Sequence, residues 1–381
     1  MLTRDMAIVL GSSFFYLASP MLVNPLITGY TGTLGASAAL MGLIGGLMNL
    51  CSLVMRPVAG NLADRLSRKR LAMIGAALMC VACVGYALAD APAPLAALRV
   101  VNGVGYSLCS VCMSTWLSSM LPPERVGSGM GLFGMMNALG MAVGPSLGLA
   151  IQGTWGYRAA MLVAGALAAV TVVGACLVRD AGVPARSASR ARGGIALLDA
   201  RVVPVALVVM LFTVPYTATQ SFVVAYAAER APQVSVGLFF PVYAAVLLGL
   251  RFALRRAFDT VGFGSFLAAS SASAALSLVG LWLLDRAGNA GLVASAALMA
   301  GGYGVMCSVC QSTAVKLVGP EHLGLANSTY YMGFDLGMAL GPIVGGLLVG
   351  SVGMGLLYPA LLAFVPAACV VYVFWRGRPG R

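Results

Sequence analysis

Apolar residues run along this chain in long, nearly unbroken stretches, separated by short clusters of charge, Gly and Pro. Crossing the hydrocarbon of a bilayer takes about 20 mostly apolar helical residues. Twelve stretches meet that length, at approximately 6–28, 37–59, 71–89, 93–120, 128–152, 158–178, 202–228, 235–255, 262–284, 290–317, 324–349 and 355–375. The runs are continuous and rich in Ala, Gly and Leu. A membrane β-barrel would instead alternate apolar and polar residues over segments of about 10. The pattern therefore predicts helices, and the short connections make sequential helices antiparallel neighbours.

Composition narrows the class further. Of 381 residues, 60% are hydrophobic and 9% are charged, where a soluble domain carries about 25% charge. A water-soluble protein cannot cover that much apolar surface, because most of its skin faces water. A soluble enzyme, a disordered chain and a disulfide scaffold are excluded. The net charge of +12 would suggest nucleic acid in a soluble protein, but its placement says otherwise. All but Arg99, Arg158, Arg230 and Arg286 of the 23 basic residues fall at one predicted face. Basic residues concentrate on the cytoplasmic side of membrane proteins. Both termini are accordingly expected in the cytoplasm, with the chain in the cell membrane, and nucleic acid is not an expected partner.

The longest connection, 179–201, holds several Gly and Ser residues and five Arg. It reads both as a flexible linker and as a basic topology anchor. On either side of it the chain repeats itself. Shifted by 197 residues, Pro123–Gly148 and Pro320–Gly345 share eleven identities in 26 positions. Cys109 to Thr115 (CSVCMST) matches Cys307 to Thr313 (CSVCQST), and Arg56 and Asp64 match Arg251 and Asp259 at an offset of 195. The expected fold is an all-α membrane protein of twelve transmembrane helices in two parallel six-helix repeats: a half at 1–178, the linker at 179–201, and a half at 202–381. Parallel repeats of this kind occur in secondary transporters, whose substrate site lies at mid-membrane.

Three motifs carry a family resemblance. GNLADRLSRKR, Gly60 to Arg70, places a Gly before Asp-Arg and a basic cluster; Leu98-Arg99 precedes Asn102-Gly103-Val104-Gly105; and GMMNALGMAVGPSLG runs from Gly134 to Gly148. In these the chain resembles the major facilitator superfamily over essentially its whole length, and the third motif resembles that of the drug/proton antiporter (exporter) branch. The resemblance implies that the loops around Gly60, Asp64, Arg65 and Arg68, with Arg56, Arg251 and Asp259, gate the transporter by holding its halves together in the outward-facing state. A carboxylate near a helix N-terminus is worth about 0.3–1 kcal/mol, consistent with such a role. The alternative is that these charges are ordinary cytoplasmic anchors. Arg255 stands where Gly60 stands in the first half, so only part of the motif is repeated.

Inside the spans, polar residues are few enough to examine singly. Of the 11 acidic residues only Asp335 falls within a predicted span. A carboxylate at that depth costs several kcal/mol unless it is paired or protonated. Asp335 is therefore the candidate for proton coupling, the alternative being a structural ion pair with Arg99 or Arg56. Arg99, within span 4, keeps its charge and must meet an anion or carbonyls. It is assigned to proton coupling or to an anionic group of the substrate, the alternative being snorkelling to headgroups. Drug exporters of the superfamily commonly carry an acid in span 1, and this chain has none there.

Gly140, Gly144, Pro145 and Gly148, repeated as Gly337, Gly341, Pro342 and Gly345, form a helix-packing motif, because small residues let backbones approach. Asn24, Asn102, Tyr106, Asn137, Gln220, Tyr303 and Gln311 are the expected cavity groups, a mostly apolar set with a few orienting hydrogen bonds. The cysteine pairs Cys109/Cys112 and Cys307/Cys310 have soft-metal spacing, but buried cysteine more often serves as a small hydrophobe; no metal or cofactor is expected. The function read from the sequence is proton-coupled efflux of small organic, amphipathic solutes by a monomer working by alternating access. The alternatives are a proton-coupled uptake symporter of a small organic solute and a non-transporting membrane sensor or assembly partner. No enzymatic constellation is visible.

Overall fold

The computed structural model describes residues 3–36, 38–183 and 196–376. All regular structure among them is helical. In chain order the α-helices are α1 (Arg4–Thr33), α2 (Ala38–Arg65), α3 (Arg68–Leu88), α4 (Pro92–Met120), α5 (Val126–Leu177), α6 (Val203–Arg230), α7 (Phe239–Ala253), α8 (Ala257–Thr260), α9 (Phe263–Trp282), α10 (Leu284–Met299), α11 (Val305–Lys316), α12 (Leu323–Val352), α13 (Leu357–Leu361) and α14 (Phe364–Arg376).

Among the described residues, eleven helical stretches are long and apolar enough to cross a membrane. One of them, Pro123–Leu177, has 55 residues. At 1.5 Å per residue this far exceeds a hydrocarbon core of about 30 Å. The stretch breaks at Gly156, whose φ of 82° and ψ of 177° no helix tolerates. Glycine alone enters that region without steric cost. The break divides the stretch into the predicted spans 5 and 6, which makes twelve.

Two departures from the predicted spans stand out. Span 2 was expected to end near 59, with Gly60–Arg70 as a loop, whereas α2 continues to Arg65. Gly60 and Asp64 are therefore helical, and only Leu66 and Ser67 separate α2 from α3. The apolar span ends before the helix does, because Asn61 and Asp64 find partners described below. Span 10 contains a π-turn, Ala300–Gly304, between α10 and α11. Its sequence, AGGYG, lets α9 approach closely, and a side chain at Gly302 would meet the backbone of Ala274 at 2.9 Å. Serines of α9 take the carbonyls of this region: Ser270 donates to Gly301 and Ser273 to Leu298, at 3.1 and 2.6 Å.

The chain forms two compact units. The first comprises 1–123, 133–199 and 318–329, and the second 124–132, 200–317 and 330–381. They follow the sequence halves except at two short segments, the starts of α5 and α12, which belong to the unit of the opposite half. Within the first unit α4 packs tightly on α3, where Gly75 and Gly105 meet backbone to backbone, and on α2, where Gly103 faces the Met48 carbonyl. An apolar cluster including Leu22, Ile27, Ile44, Tyr86 and Met161 fills the space between α1 and its neighbours.

Candidate functional site

In the first unit, Asp64 and the start of α12 form one constellation. The Asp64 carboxylate is 8% exposed. Its Oδ1 accepts from the Gly324 amide at 2.6 Å and its Oδ2 from the Leu325 amide at 2.8 Å. The first amides of a helix have no partner within the helix, and Asp64 satisfies two of them from 260 residues away. Glycine permits the approach: a side chain at Gly60 would meet Ser328 at 2.6 Å and the Gly324 carbonyl at 2.9 Å. Ser328 Oγ donates to the Arg56 carbonyl. The Arg56 side chain is buried, donates to Ser110 Oγ and lies 5.3 Å from the Tyr106 ring centroid. Arg68 is buried and donates from Nε to the Ala63 carbonyl at 3.1 Å, whereas Arg65 is exposed.

The second unit carries the reciprocal arrangement in weaker form. Asp259 Oδ1 accepts from the Ser128 amide at the start of α5, at 3.0 Å. Gly127, the counterpart of Gly324, lies against the Phe258 and Asp259 backbone and side chain. Arg251, the counterpart of Arg56, is buried and donates to the carbonyls of Gly131 and Gly304 at 3.4 and 3.3 Å. Two amides are held in one copy and one in the other.

The helix-packing glycines occupy equivalent positions in both units. Side chains at Gly140, Gly144 and Gly148 would collide with α1 around Ala18, Met21 and Leu22. Those at Gly337, Gly341 and Gly345 would collide with α6 around Thr213, Thr217 and Phe222. Thr217 Oγ1 also donates to the Gly337 carbonyl at 3.1 Å. Pro145 and Pro342 lie inside α5 and α12 next to these contacts.

Arg99 is fully buried. Its Nε donates to the Ile44 carbonyl at 3.1 Å and its Nη2 to the Gly45 carbonyl at 2.6 Å, with the Asn24 amide oxygen at 3.4 Å. Backbone carbonyls of α2 thus supply much of what this guanidinium needs, a partner set that no sequence motif announces. Asn102 is buried on the α3 side, 3.6 Å from Cys83 Sγ. Asn137 Oδ1 has no hydrogen-bond partner among the described residues.

In the second unit the polar groups fall into two sets. Asp335 lies on α12 twelve residues past Leu323, about 18 Å along the helix at 1.5 Å per residue. It is partly buried. Tyr331, one turn earlier on the same face, accepts from Gln311 Nε2 at 3.1 Å. Tyr303, carried on the π-turn, stacks on Tyr216 with ring centroids 4.0 Å apart, and Tyr216 lies 5.1 Å from Tyr243. Gln220 Nε2 donates to Tyr216 Oη at 3.0 Å. Sequence reasoning missed Tyr216 and Tyr243. The available signal was the unusual AGGYG interruption, since π-turns recur at functional sites. The four cysteines of the paired motifs are buried and free, and no group of three metal-ligating side chains occurs among the described residues.

The profile of the Major Facilitator Superfamily matches residues 9–305 and 287–381. The chain belongs to this superfamily. The uncharacterised MFS-type transporter YhhS of Escherichia coli is 22% identical over 378 residues, covering 96% of this chain and 89% of YhhS. Two other matches cover less. An uncharacterised MFS-type transporter of Mycobacterium tuberculosis is 30% identical over 151 residues, 40% of this chain but 25% of that protein. A multi-drug resistance efflux pump PmrA homolog of Lactococcus lactis is 28% identical over 158 residues, 40% of this chain and 39% of the pump. The chain thus spans well under half the length of these two relatives. Among solved structures, the human organic anion transporter MFSD10 superposes with a TM-score of 0.77 at 16% identity, covering 97% of this chain and 98% of the transporter. The E. coli fucose:proton symporter gives 0.77 at 15%, covering 99% and 98%. These likenesses establish the fold.

Proposed function

We propose that this superfamily member is a proton-coupled exporter of small, amphipathic organic solutes in the cell membrane, with both termini cytoplasmic. The observation that carries the coupling is Asp335. Every other acidic residue lies near a helix end or in a connection, while this carboxylate stands about 18 Å along a membrane-spanning helix beside the Gln311–Tyr331 pair. A charged carboxylate there is costly unless it is paired or protonated, so its retention favours a functional role. It can load a proton from one side and release it to the other as access alternates. The Tyr216–Tyr243–Tyr303 stack and the sparse amides suit a flat, largely apolar solute oriented by a few hydrogen bonds. Asp64 and Asp259 act as latches on the cytoplasmic side, and Arg99 orders the α1–α2–α4 contact of the first half. Export, rather than uptake, is favoured by the Gly-Pro motif and by the efflux-pump relative. The fucose:proton symporter with the same fold supports uptake as the second reading.

The test is a dye-quenching assay on inverted vesicles under an imposed pH gradient, with wild type and Asp335→Asn. Solute-dependent proton movement in wild type, lost in the variant while solute binding persists, is the expected result. Transport indifferent to the gradient, or equal coupling in the variant, overturns the reading. Accumulation in a deletion strain separates the directions, since losing an exporter raises cellular solute and losing an importer lowers it.

A further inference from the structure

The one place where the second half breaks the repeat most sharply is also a cavity. Arg255 and Arg256 stand where the first half has Gly60 and Asn61, and Arg125 stands where the second half has His322. The three arginines, with Ser128 and Asp259, line a cavity of about 250 Å³ within the second unit. That is room for about eight waters at ~30 Å³ each, enough for a phosphodiester with a small alcohol. Three guanidinium groups face one carboxylate, and the Asp259 Oδ1 is already engaged by the Ser128 amide. The residual charge is cationic. All three arginines are exposed.

The surroundings are apolar on one side. The Arg255 guanidinium lies 5.2 Å over the Phe252 ring, and Phe252 is 64% exposed, with Val261 42% exposed nearby in the chain. A basic cavity bordered by exposed apolar residues at the end of a spanning helix fits a ligand with an anionic head and apolar tails. Arginine is suited to the head, because its planar fork matches phosphate oxygens, and basic pockets between membrane helices bind anionic headgroups. We propose that this cavity holds the phosphate of an anionic phospholipid, with its acyl chains along Phe252. The loss of the close-packing glycine at position 255 thereby acquires a use: the side chain that would obstruct a tight helix crossing instead grips a headgroup. Because Asp259 and Ser128 form one wall, occupancy couples lipid composition to the hydrogen bond that the Ser128 amide donates to Asp259.

The experiment is native mass spectrometry of the full-length protein titrated with phosphatidylglycerol or phosphatidylcholine, with inorganic phosphate as competitor. Wild type is expected to retain phosphatidylglycerol over phosphatidylcholine, and Arg255→Ala and Arg256→Ala each to weaken retention by about five-fold. Arg125→Ala, on a short exposed turn, provides a variant whose fold is least at risk and is expected to show the same loss. Arg286→Ala, outside the cavity, is expected to bind like wild type. Retention unchanged in the Arg125, Arg255 and Arg256 variants overturns the site. Equal loss in the Arg286 variant reduces it to general surface charge. Displacement of the lipid by millimolar inorganic phosphate assigns the cavity to a free anion and overturns the lipid proposal.

Discussion

Asp64 holds two helix-start amides and Asp259 one, an asymmetry that separates geometry from mere charge. Asparagine replaces one carboxylate oxygen with an NH2 donor. At Asp64 both oxygens are used, by Gly324 at 2.6 Å and Leu325 at 2.8 Å, so Asp64→Asn leaves one buried amide facing a donor. An unsatisfied buried group costs about 1–3 kcal/mol, and losing a negative charge at a helix N-terminus adds about 0.3–1 kcal/mol. At Asp259, among the described residues, only Oδ1 accepts, from Ser128 at 3.0 Å. Its asparagine can keep that bond by presenting its carbonyl, so the cost is the charge alone, about 0.3–1 kcal/mol. At tenfold per 1.4 kcal/mol, local amide protection falls about ten- to several-hundred-fold around 320–329 in the first variant. Around 123–132 in the second it falls about two- to five-fold. Hydrogen exchange read by mass spectrometry on these two peptides measures both. Equal losses, or a larger loss for Asp259→Asn, would refute the assignment of two amides to Asp64.

Three further outcomes follow from particular contacts. Gly144→Ala places a methyl 2.7 Å from Met21 Cβ and 3.0 Å from the Ala18 carbonyl, and is expected to destabilise by about 1–3 kcal/mol. Gly153→Ala meets nothing within 4 Å and should be neutral or slightly stabilising; the pair is compared by thermal unfolding in detergent. Arg99→Lys removes the fork that reaches the Ile44 and Gly45 carbonyls together, and should lower the melting temperature; unchanged melting with lost transport would transfer Arg99 to a chemical role. Asn61→Ala removes both bonds that its amide makes with the Ala196 backbone, at 2.6 and 3.1 Å, and should raise hydrogen exchange at the Ala196 amide without changing that at Gly324.

The sequence was most informative where one physical requirement leaves a repeating mark. Apolar length located the spans, because each must match the same hydrocarbon thickness. Glycines four residues apart lie at the α5–α1 and α12–α6 contacts, where close backbones admit no side chain. The marks fail where partners are backbone or lie far away in the chain. Nothing in the sequence around Arg99 announces that carbonyls of α2 receive it. The extension of α2 to Arg65 depends on amides at Gly324 and Leu325, so it could not be read from α2 alone. The linker likewise looked uniform, yet its described ends are tied down: Asp5 accepts from the amides of Arg179 and Asp180 at 3.1 and 2.9 Å, and Asn61 pairs with Ala196. The twelve residues 184–195, with Arg186, Arg190 and Arg192, lie outside the described residues.

The repeat itself supplies a sharper instrument than either half. Where the copies agree, as at Arg56/Arg251, Asp64/Asp259 and Gly144/Gly341, a shared structural constraint accounts for the agreement. Where they differ, folding alone gives no reason, since the other copy folds with the alternative residue. Ala138 faces Asp335 across the 197-residue offset, and Gly60 faces Arg255 across 195. Each change introduces a charge into one half at a position the other half keeps small and neutral. A charge at mid-span costs free energy, and an arginine in place of a crossing glycine gives up close packing. Neither is a cost a scaffold would carry twice over for stability. These two departures are therefore where the function specific to this chain is to be sought, coupling at the first and lipid contact at the second.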